Sequence, residues 1–331
     1  MFAVVLVGGF GTRLRPLTNE IPKPMLPVVH RPMIVRLVER LGPAGVTDVV
    51  LALGFKPGPF EAAFPDGFLD DVRIHYAVEP EPLDTAGAIA FAARWAAIDD
   101  TFIVANGDVM SDLNFGDLVA AHRAVGVDAT IHLTPVDDPS AFGVVEINSN
   151  GIVERFLEKP SPGETDSNLI NAGTYVFEPK VLDLIEPGIR VSIERATFPL
   201  LVAGGQLAGY ATDSYWIDTG RPEFFLQANL DLISGLRQPV ESGIAVGAMI
   251  HPEAIVVQSV VASDVVVESG TTITESVLLP GAHVEARAAV EGSIVAGRVA
   301  AGATVRSSVI GAGFTISEGA TVLGERLPTP D

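Results

Sequence analysis

This sequence predicts an α/β fold, built on a mostly parallel sheet, followed by a parallel β-helix. Two observations carry the prediction. Over the first 235 or so residues, short apolar runs alternate with amphipathic stretches, as βα units packed on a parallel sheet require. After Gln238-Pro239 the pattern changes, and aliphatic residues return every five or six positions. That hexapeptide beat belongs to short strands stacked in coils. We therefore divide the chain into residues 1–238 and 239–331.

The elements follow in order. Phe2–Val7 is an apolar run of strand length that ends in Gly8-Gly9-Phe10-Gly11. Met33, Ile34, Leu37, Val38 and Leu41 keep helical spacing, and Gly42-Pro43 stops that helix. Val49–Leu53 and Phe102–Ala105 are further strands, with an alanine-rich helix, Ala86–Ala97, between them. Strand, helix, strand in this order suggests a doubly wound sheet, whose ligands sit beyond the carboxyl ends of the strands. In the second part the beat runs through Ile244, Ile250, Val256, Val261, Val267, Ile273, Leu279, Val284 and Val290. A less regular patch follows, and Val305, Ile310, Ile316 and Val322 then resume it. Four or five coils of about eighteen residues fit this length, each burying aliphatic side chains against its neighbours.

Composition narrows the function. A formal charge of −20 argues against nucleic acid, because backbone phosphates call for clustered lysine and arginine. It leaves room for a small phosphorylated ligand in a local positive pocket. No cysteine is present, which removes disulfides, thiol catalysis and thiolate metal sites. Mean hydropathy is +0.37, yet no apolar run approaches the roughly 18 residues of a membrane span. The first strand also lacks the flanks of a signal peptide. The expectation is a cytoplasmic protein with no membrane partner. The six histidines show no metal-ligand spacing.

The strongest local signal is Gly8-Gly9-Phe10-Gly11-Thr12-Arg13-Leu14-Arg15-Pro16-Leu17-Thr18, followed by Pro22-Lys23-Pro24-Met25. Glycines directly after a strand let backbone N–H groups approach phosphate oxygens. Arg13, Arg15 and Lys23 add positive charge to that loop in an otherwise acidic chain. The dinucleotide fingerprint fails, since Leu14 stands where its third glycine belongs, and the P-loop pattern is absent. The segment points to a phosphate site of another kind.

It resembles the signature of the sugar-1-phosphate nucleotidyltransferases, or sugar-nucleotide pyrophosphorylases. Within that family the continuation Pro22-Lys23-Pro24-Met25-Leu26-Pro27 is most similar to the mannose-1-phosphate guanylyltransferase branch. The other family motifs appear in the expected order. Glu79-Pro80-Glu81-Pro82-Leu83-Asp84-Thr85-Ala86-Gly87 resembles the base-recognition segment, and Asn106-Gly107-Asp108 the metal motif. Asp138–Val145 resembles a sugar-side loop. Phe156-Leu157-Glu158-Lys159-Pro160 and Asn171-Ala172-Gly173 resemble the sugar-phosphate motifs, and Trp216–Pro222 supplies a second acidic position. The match covers essentially all of residues 1–235, and many family members also carry a left-handed β-helix tail after a Rossmann-like catalytic domain.

The resemblance implies a nucleotidyl transfer from a nucleoside triphosphate to a sugar 1-phosphate, with Mg2+ as cofactor. Arg13, Lys23, Asp108 and Asp218 are the implied catalytic residues, and Asp108 and Asp218 the metal ligands. Leu6, Gly8, Gly9, Gly11, Thr12, Arg13, Lys23, Glu79, Asp84, Thr85 and Gly107 are placed on the nucleotide. Gly143, Glu158, Lys159, Asn171 and Gly173 are placed on the sugar phosphate. The chemistry is coherent: the sugar phosphate oxygen attacks in line, pyrophosphate leaves, and no covalent nucleophile is needed. Guanine offers two adjacent donors, N1–H and the 2-amino group, which suit the Glu79 carboxylate. Asp84 departs from the glycine common in relatives, and its side chain either crowds the base or supplies a second acceptor. Val7, where alanine is usual, is a lesser departure that touches packing. GTP with mannose 1-phosphate leads. The same chemistry with glucose 1-phosphate and dTTP or UTP is the alternative, and a non-catalytic sugar-nucleotide-sensing subunit is a second. The tail has no lysine and two isolated histidines, so it is expected to be non-catalytic and to serve regulation or assembly of a homo-oligomer.

Overall fold

The computed structural model describes residues 1–9, 11–54, 57–237 and 239–329, so Phe10 of the glycine loop, Lys56 and Gln238 lie outside the described residues. The residues part into two compact units. The first comprises residues 1–9 and 34–216, and the second residues 10–33 and 217–331. The signature segment and the helix Pro222–Ser234 fall with the repeats in the second unit.

The first unit is built on a ten-stranded mixed sheet. At its centre Phe102–Asn106, Phe2–Leu6, Asp48–Leu53 and Val72–Val78 run side by side and parallel. Val4, Val50 and Val104 are fully buried, as a strand covered on both faces demands. Helix Asp84–Trp95 begins two residues before the predicted Ala86 and buries Ala86, Ile89, Ala90, Ala92 and Ala93. Its small side chains let the helix axis approach the strands closely. An antiparallel wing, less evident in the sequence, adds Leu169–Phe177, Gly143–Ile147 and Val153–Glu158. Ala129–Pro135 pairs antiparallel to Leu169–Phe177 and parallel to Leu207–Ala211. Because the central strands are parallel, Leu6, Leu53, Val78 and Asn106 end on the same edge. The segments at Gly8-Gly9, Glu79 and Gly107-Asp108 follow directly from those ends.

In the second unit three five-stranded parallel ladders form the faces of a β-helix. Val267, Ile273, Leu278, Val284, Val290, Val295, Val305 and Ile310 fill its interior at 0–1% exposure. Each contributes about 1.5–3 kcal/mol of burial. Coils advance 17 residues rather than eighteen, as in the Val267–Val284 register. One coil is shorter, and Val284 pairs with Val299 and Val290 with Val305, which is the irregular patch in the sequence. Along one corner runs a buried serine ladder. Ser259, Ser276, Ser293 and Ser308 each accept an N–H from the next coil through Oγ, at 3.1 Å. No helix among the described residues is long and apolar enough to cross a membrane.

Candidate active site

The predicted site residues fall into clusters in each unit. In the second unit, Gly11 sits in the left-handed region at φ 59° and opens the 3-10 turn Thr12–Leu14. A Cβ there would lie 3.0 Å from Thr18 Cγ2 and 3.2 Å from Lys23 Cβ, so glycine is required twice over. Thr18 Oγ1 donates to the Gly11 carbonyl at 2.8 Å, and the buried Leu14 anchors the turn from below. This leaves the Arg13 side chain 63% exposed while Lys23 is buried.

These cations converge on Asp218. Lys23 Nζ donates to Asp218 Oδ1 at 3.2 Å, and Arg13 Nη2 lies 4.0 Å from Oδ2. The Gly220 N–H also donates to Oδ1, at 2.9 Å. A Cβ on Gly220 would fall 2.7 Å from Arg13 Nη2, so the glycine makes room for the guanidinium. Thr12 lies in the same turn. An anionic triphosphate meeting this cluster finds a compact ammonium and a planar guanidinium fork within one loop.

In the first unit the glycine-rich strand ends close on one another. The Gly107 N–H donates to the Leu6 carbonyl at 2.9 Å, and a Cβ at Gly107 would strike Val7 Cγ1 at 2.7 Å. Gly8 is pinned against Gly54, whose N would lie 3.1 Å from an added Cβ. Asp108 follows at the end of Phe102–Asn106, half-buried. Gly9 is exposed.

Glu79 is buried at 8% exposure, and burial raises its carboxyl above the usual range, partly offset by the Leu83 N–H that its Oε2 accepts at 2.8 Å. Asp84 adopts φ 61°, a conformation that glycine takes freely and aspartate tolerates better than most. Its Oδ1 accepts the Thr85 N–H at 2.8 Å, and Oδ2 lies 3.8 Å from Arg190 Nε. The departure from glycine is thus accommodated by a side chain that closes its own turn. The Thr85 hydroxyl donates to Glu194 at 3.0 Å and accepts the Ile193 N–H at 2.8 Å, tying the helix start to the turn Ile193–Thr197.

The remaining predicted residues gather around Leu169–Phe177. Its register shifts between Asn171 and Tyr175, and the irregularity re-aims the Asn171-Ala172-Gly173 segment. Asn171 Oδ1 accepts the Gly173 N–H at 2.9 Å, and its amide donates to the Tyr175 hydroxyl at 3.0 Å. Tyr175 is buried, which raises its hydroxyl pKa, and it stacks on Phe177 at 5.5 Å. Gly173 has φ 75°, and a Cβ there would fall 2.5 Å from Asn106 Nδ2. Gly143 pairs with Glu158, and a Cβ there would fall 2.6 Å from Phe156 Cζ, so the glycine leaves room for that ring. Lys159 holds φ 53° with its side chain 61% exposed and Nζ 3.8 Å from Glu158 Oε1. A lysine in the left-handed region is strained, and such strain gathers at ligand sites. Sequence reasoning did not single out Tyr175, Phe142 or Trp216 as supports. Phe142 packs edge-on to Trp216 at 5.7 Å, whose Nε1 donates to the Ala172 carbonyl at 2.9 Å. Trp216 lay within a quoted motif, but nothing in the sequence tied it to residue 172. Among the described residues no group of three or more acidic or histidine side chains is set to hold a metal by itself.

The nucleotidyl transferase family model matches residues 2–235, and a GlmU-like C-terminal hexapeptide model matches residues 234–300. The chain is 43% identical over 268 residues to mannose-1-phosphate guanylyltransferase of Mycobacterium tuberculosis, covering 78% of this chain and 74% of that one. It is also 43% identical over 267 residues to mannose-1-phosphate guanyltransferase of Schizosaccharomyces pombe, covering 77% and 73%. Among solved structures, HddC from Yersinia pseudotuberculosis complexed with GMP-PN aligns with a TM-score of 0.58 at 30% identity, over 69% of this chain and 97% of that one. A putative glucose-1-phosphate thymidylyltransferase from Bacillus anthracis, in complex with a sucrose, aligns with a TM-score of 0.64 at 25% identity, over 73% and 97%.

Proposed function

The chain belongs to the nucleotidyl transferase family, and from that premise we propose that it joins GTP and mannose 1-phosphate into GDP-mannose and pyrophosphate. The observation that carries the reading is the cluster that Arg13 and Lys23 of the glycine-opened loop form with Asp218 at the end of the strand Trp216–Asp218, in a chain 43% identical to curated guanylyltransferases. The backbone of Gly8 and Gly9 serves the triphosphate together with Leu6 and Gly107 of the same unit, and the backbone of Gly11 and Thr12 serves it from the second unit's loop. Arg13 clamps it, and Lys23 opposes the negative charge that grows at the α-phosphate during attack. Glu79 reads guanine through its carboxylate, and Asp84 and Thr85 shape the loop beside it. Lys159 holds the sugar phosphate as a point charge, with Glu158 and Asn171 on the sugar hydroxyls and Gly143 and Gly173 allowing close approach.

The donor chemistry fits magnesium. Asp108 and Asp218 offer carboxylate oxygens, and such an ion takes one or two carboxylates with substrate phosphates completing its shell. When bound it neutralises triphosphate charge. In this reading the sugar phosphate oxygen attacks the α-phosphorus directly, and the protein's part is alignment and charge. A cytoplasmic setting belongs to the same proposal, because both substrates are charged phosphate esters. So does a homo-oligomer, supported by the exposed aliphatic residues Val246 at 99%, Ile255 at 57% and Met249 at 55% near the start of the repeats.

The test is pyrophosphate release across four nucleoside triphosphates and several sugar 1-phosphates, with magnesium and with EDTA. Magnesium-dependent turnover confined to GTP with mannose 1-phosphate is expected. Turnover with dTTP or UTP instead would overturn the role given to Glu79. No turnover on any pair, from a folded protein that still binds a sugar nucleotide, would replace catalysis with sensing.

A further inference from the structure

We propose that the last coil of the β-helix sets the position of the triphosphate loop, with Arg326 as a positioning residue acting through Arg13. The inference rests on the nucleotide role given to that loop above. Arg326 Nη1 donates to the Arg13 carbonyl oxygen at 2.8 Å, across 313 residues of sequence. The bond grips the backbone of Arg13, leaving its guanidinium available beside Asp218.

The strand that carries Arg326 is itself fixed. The Val309 N–H donates to the Glu325 carbonyl at 2.8 Å, and the Gly311 N–H to the Leu327 carbonyl at 2.7 Å. Glu325 N–H meets Ser308 Oγ at 3.1 Å, the final rung of the serine ladder. Arg326 therefore projects from a ladder braced through several coils. One turn back, the same coils form a seat for the loop. A Cβ on Gly311 would lie 2.8 Å from both Cβ and Cγ of Pro16. Gly311 is not in the left-handed region, so its backbone conformation does not demand glycine. The closeness of the Pro16 ring does. A hydrogen bond above and a tight apolar contact below thus fix the loop between Arg13 and Pro16.

Arg326 is exposed, and one exposed hydrogen bond adds little to global stability. Its loss should appear in function. The experiment is steady-state kinetics of full-length Arg326→Ala and Gly311→Ala against the unchanged protein, with thermal midpoints measured alongside. Arg326→Ala is expected to raise KM for GTP about three- to ten-fold, the range that one hydrogen bond implies. KM for mannose 1-phosphate and the thermal midpoint should stay put. Gly311→Ala, which changes no charge, should shift the same constant in the same direction. Raising salt to about 0.5 M separates positioning from long-range attraction, because exposed charges are then screened within a few Å. The Arg326→Ala effect should persist there. Unchanged kinetics in Arg326→Ala, equal shifts in both substrates, or an effect that vanishes in high salt would each overturn the proposal. If the unchanged protein turns over no substrate pair, the functional reading fails instead. The loop inference is then decided by the dissociation constant for magnesium–GTP, measured by calorimetry on the same variants, with a similar weakening expected and equal affinities refuting it.

Discussion

His132 makes the stability of the first unit depend on pH in a way that can be calculated. It lies in strand Ala129–Pro135 at 0% exposure, and its Nε2 shares a 2.8 Å hydrogen bond with Thr212 Oγ1. Its Nδ1 is buried with no hydrogen-bond partner among the described residues. Burial lowers its pKa from 6.5 to about 4. Between those values the unfolded chain binds a proton that the folded chain refuses, so stability rises with pH through this window and is lost on acidification. The cost is about 2 kcal/mol at pH 5 and about 3 kcal/mol at pH 4, with nothing lost above pH 7. Carboxylates elsewhere also titrate there, so the measurement is a difference. Urea unfolding of the protein and of His132→Leu is followed by tryptophan fluorescence at pH 7.5, 6, 5 and 4. Both tryptophans, Trp95 and Trp216, belong to the same unit as His132, so the signal reports that unit. The leucine variant loses the Thr212 bond at every pH, but the gap between the two proteins should shift in the variant's favour by about 2 kcal/mol from pH 7.5 to pH 5. A gap that stays constant across the series would refute the argument.

Gly173→Ala should cost about 2–4 kcal/mol by urea unfolding, because alanine resists φ 75° and its Cβ would overlap the Asn106 amide at 2.5 Å; a cost under about 1 kcal/mol would mean that the bulge readily relaxes. Lys159→Ala should raise KM for mannose 1-phosphate about 10–100-fold, the worth of a charged hydrogen bond, and leave KM for GTP unchanged. Its thermal midpoint should hold, since the side chain is 61% exposed. Asp84→Gly trades relief of the left-handed strain against the lost Thr85 N–H bond, so denaturant midpoints should agree within about 1 kcal/mol. Its preference for GTP over dTTP should also be unchanged. A marked shift in that ratio would put the Asp84 carboxylate on the base after all.

The sequence carried chemistry more legibly than it carried contacts. Residue types in motif order marked the loop cations and the carboxylates, short apolar runs marked the central strands, and a beat of five or six residues marked the coils. What it hid were partners joined only by the folded chain. Nothing near Thr85 announces Glu194, and nothing near Arg13 announces Arg326. Asp84 looked like a departure in a base-binding motif, whereas its positive φ makes it a turn residue that replaces one glycine property with a hydrogen bond. The shortened coil blurred the repeat, since two missing residues shift the beat without breaking the ladder. The motif glycines also separate into kinds that the sequence cannot distinguish. Gly173 answers to φ and to Asn106, Gly107 to Val7, Gly8 to Gly54 and Gly220 to Arg13. Gly9 answers to none of these: its φ lies outside the left-handed region, and an added Cβ would meet nothing within 4 Å among the described residues. Packing and backbone strain therefore give no reason for glycine at that position. The triphosphate role proposed for the loop would supply one, since a phosphate could then approach an uncovered backbone at the end of the first strand.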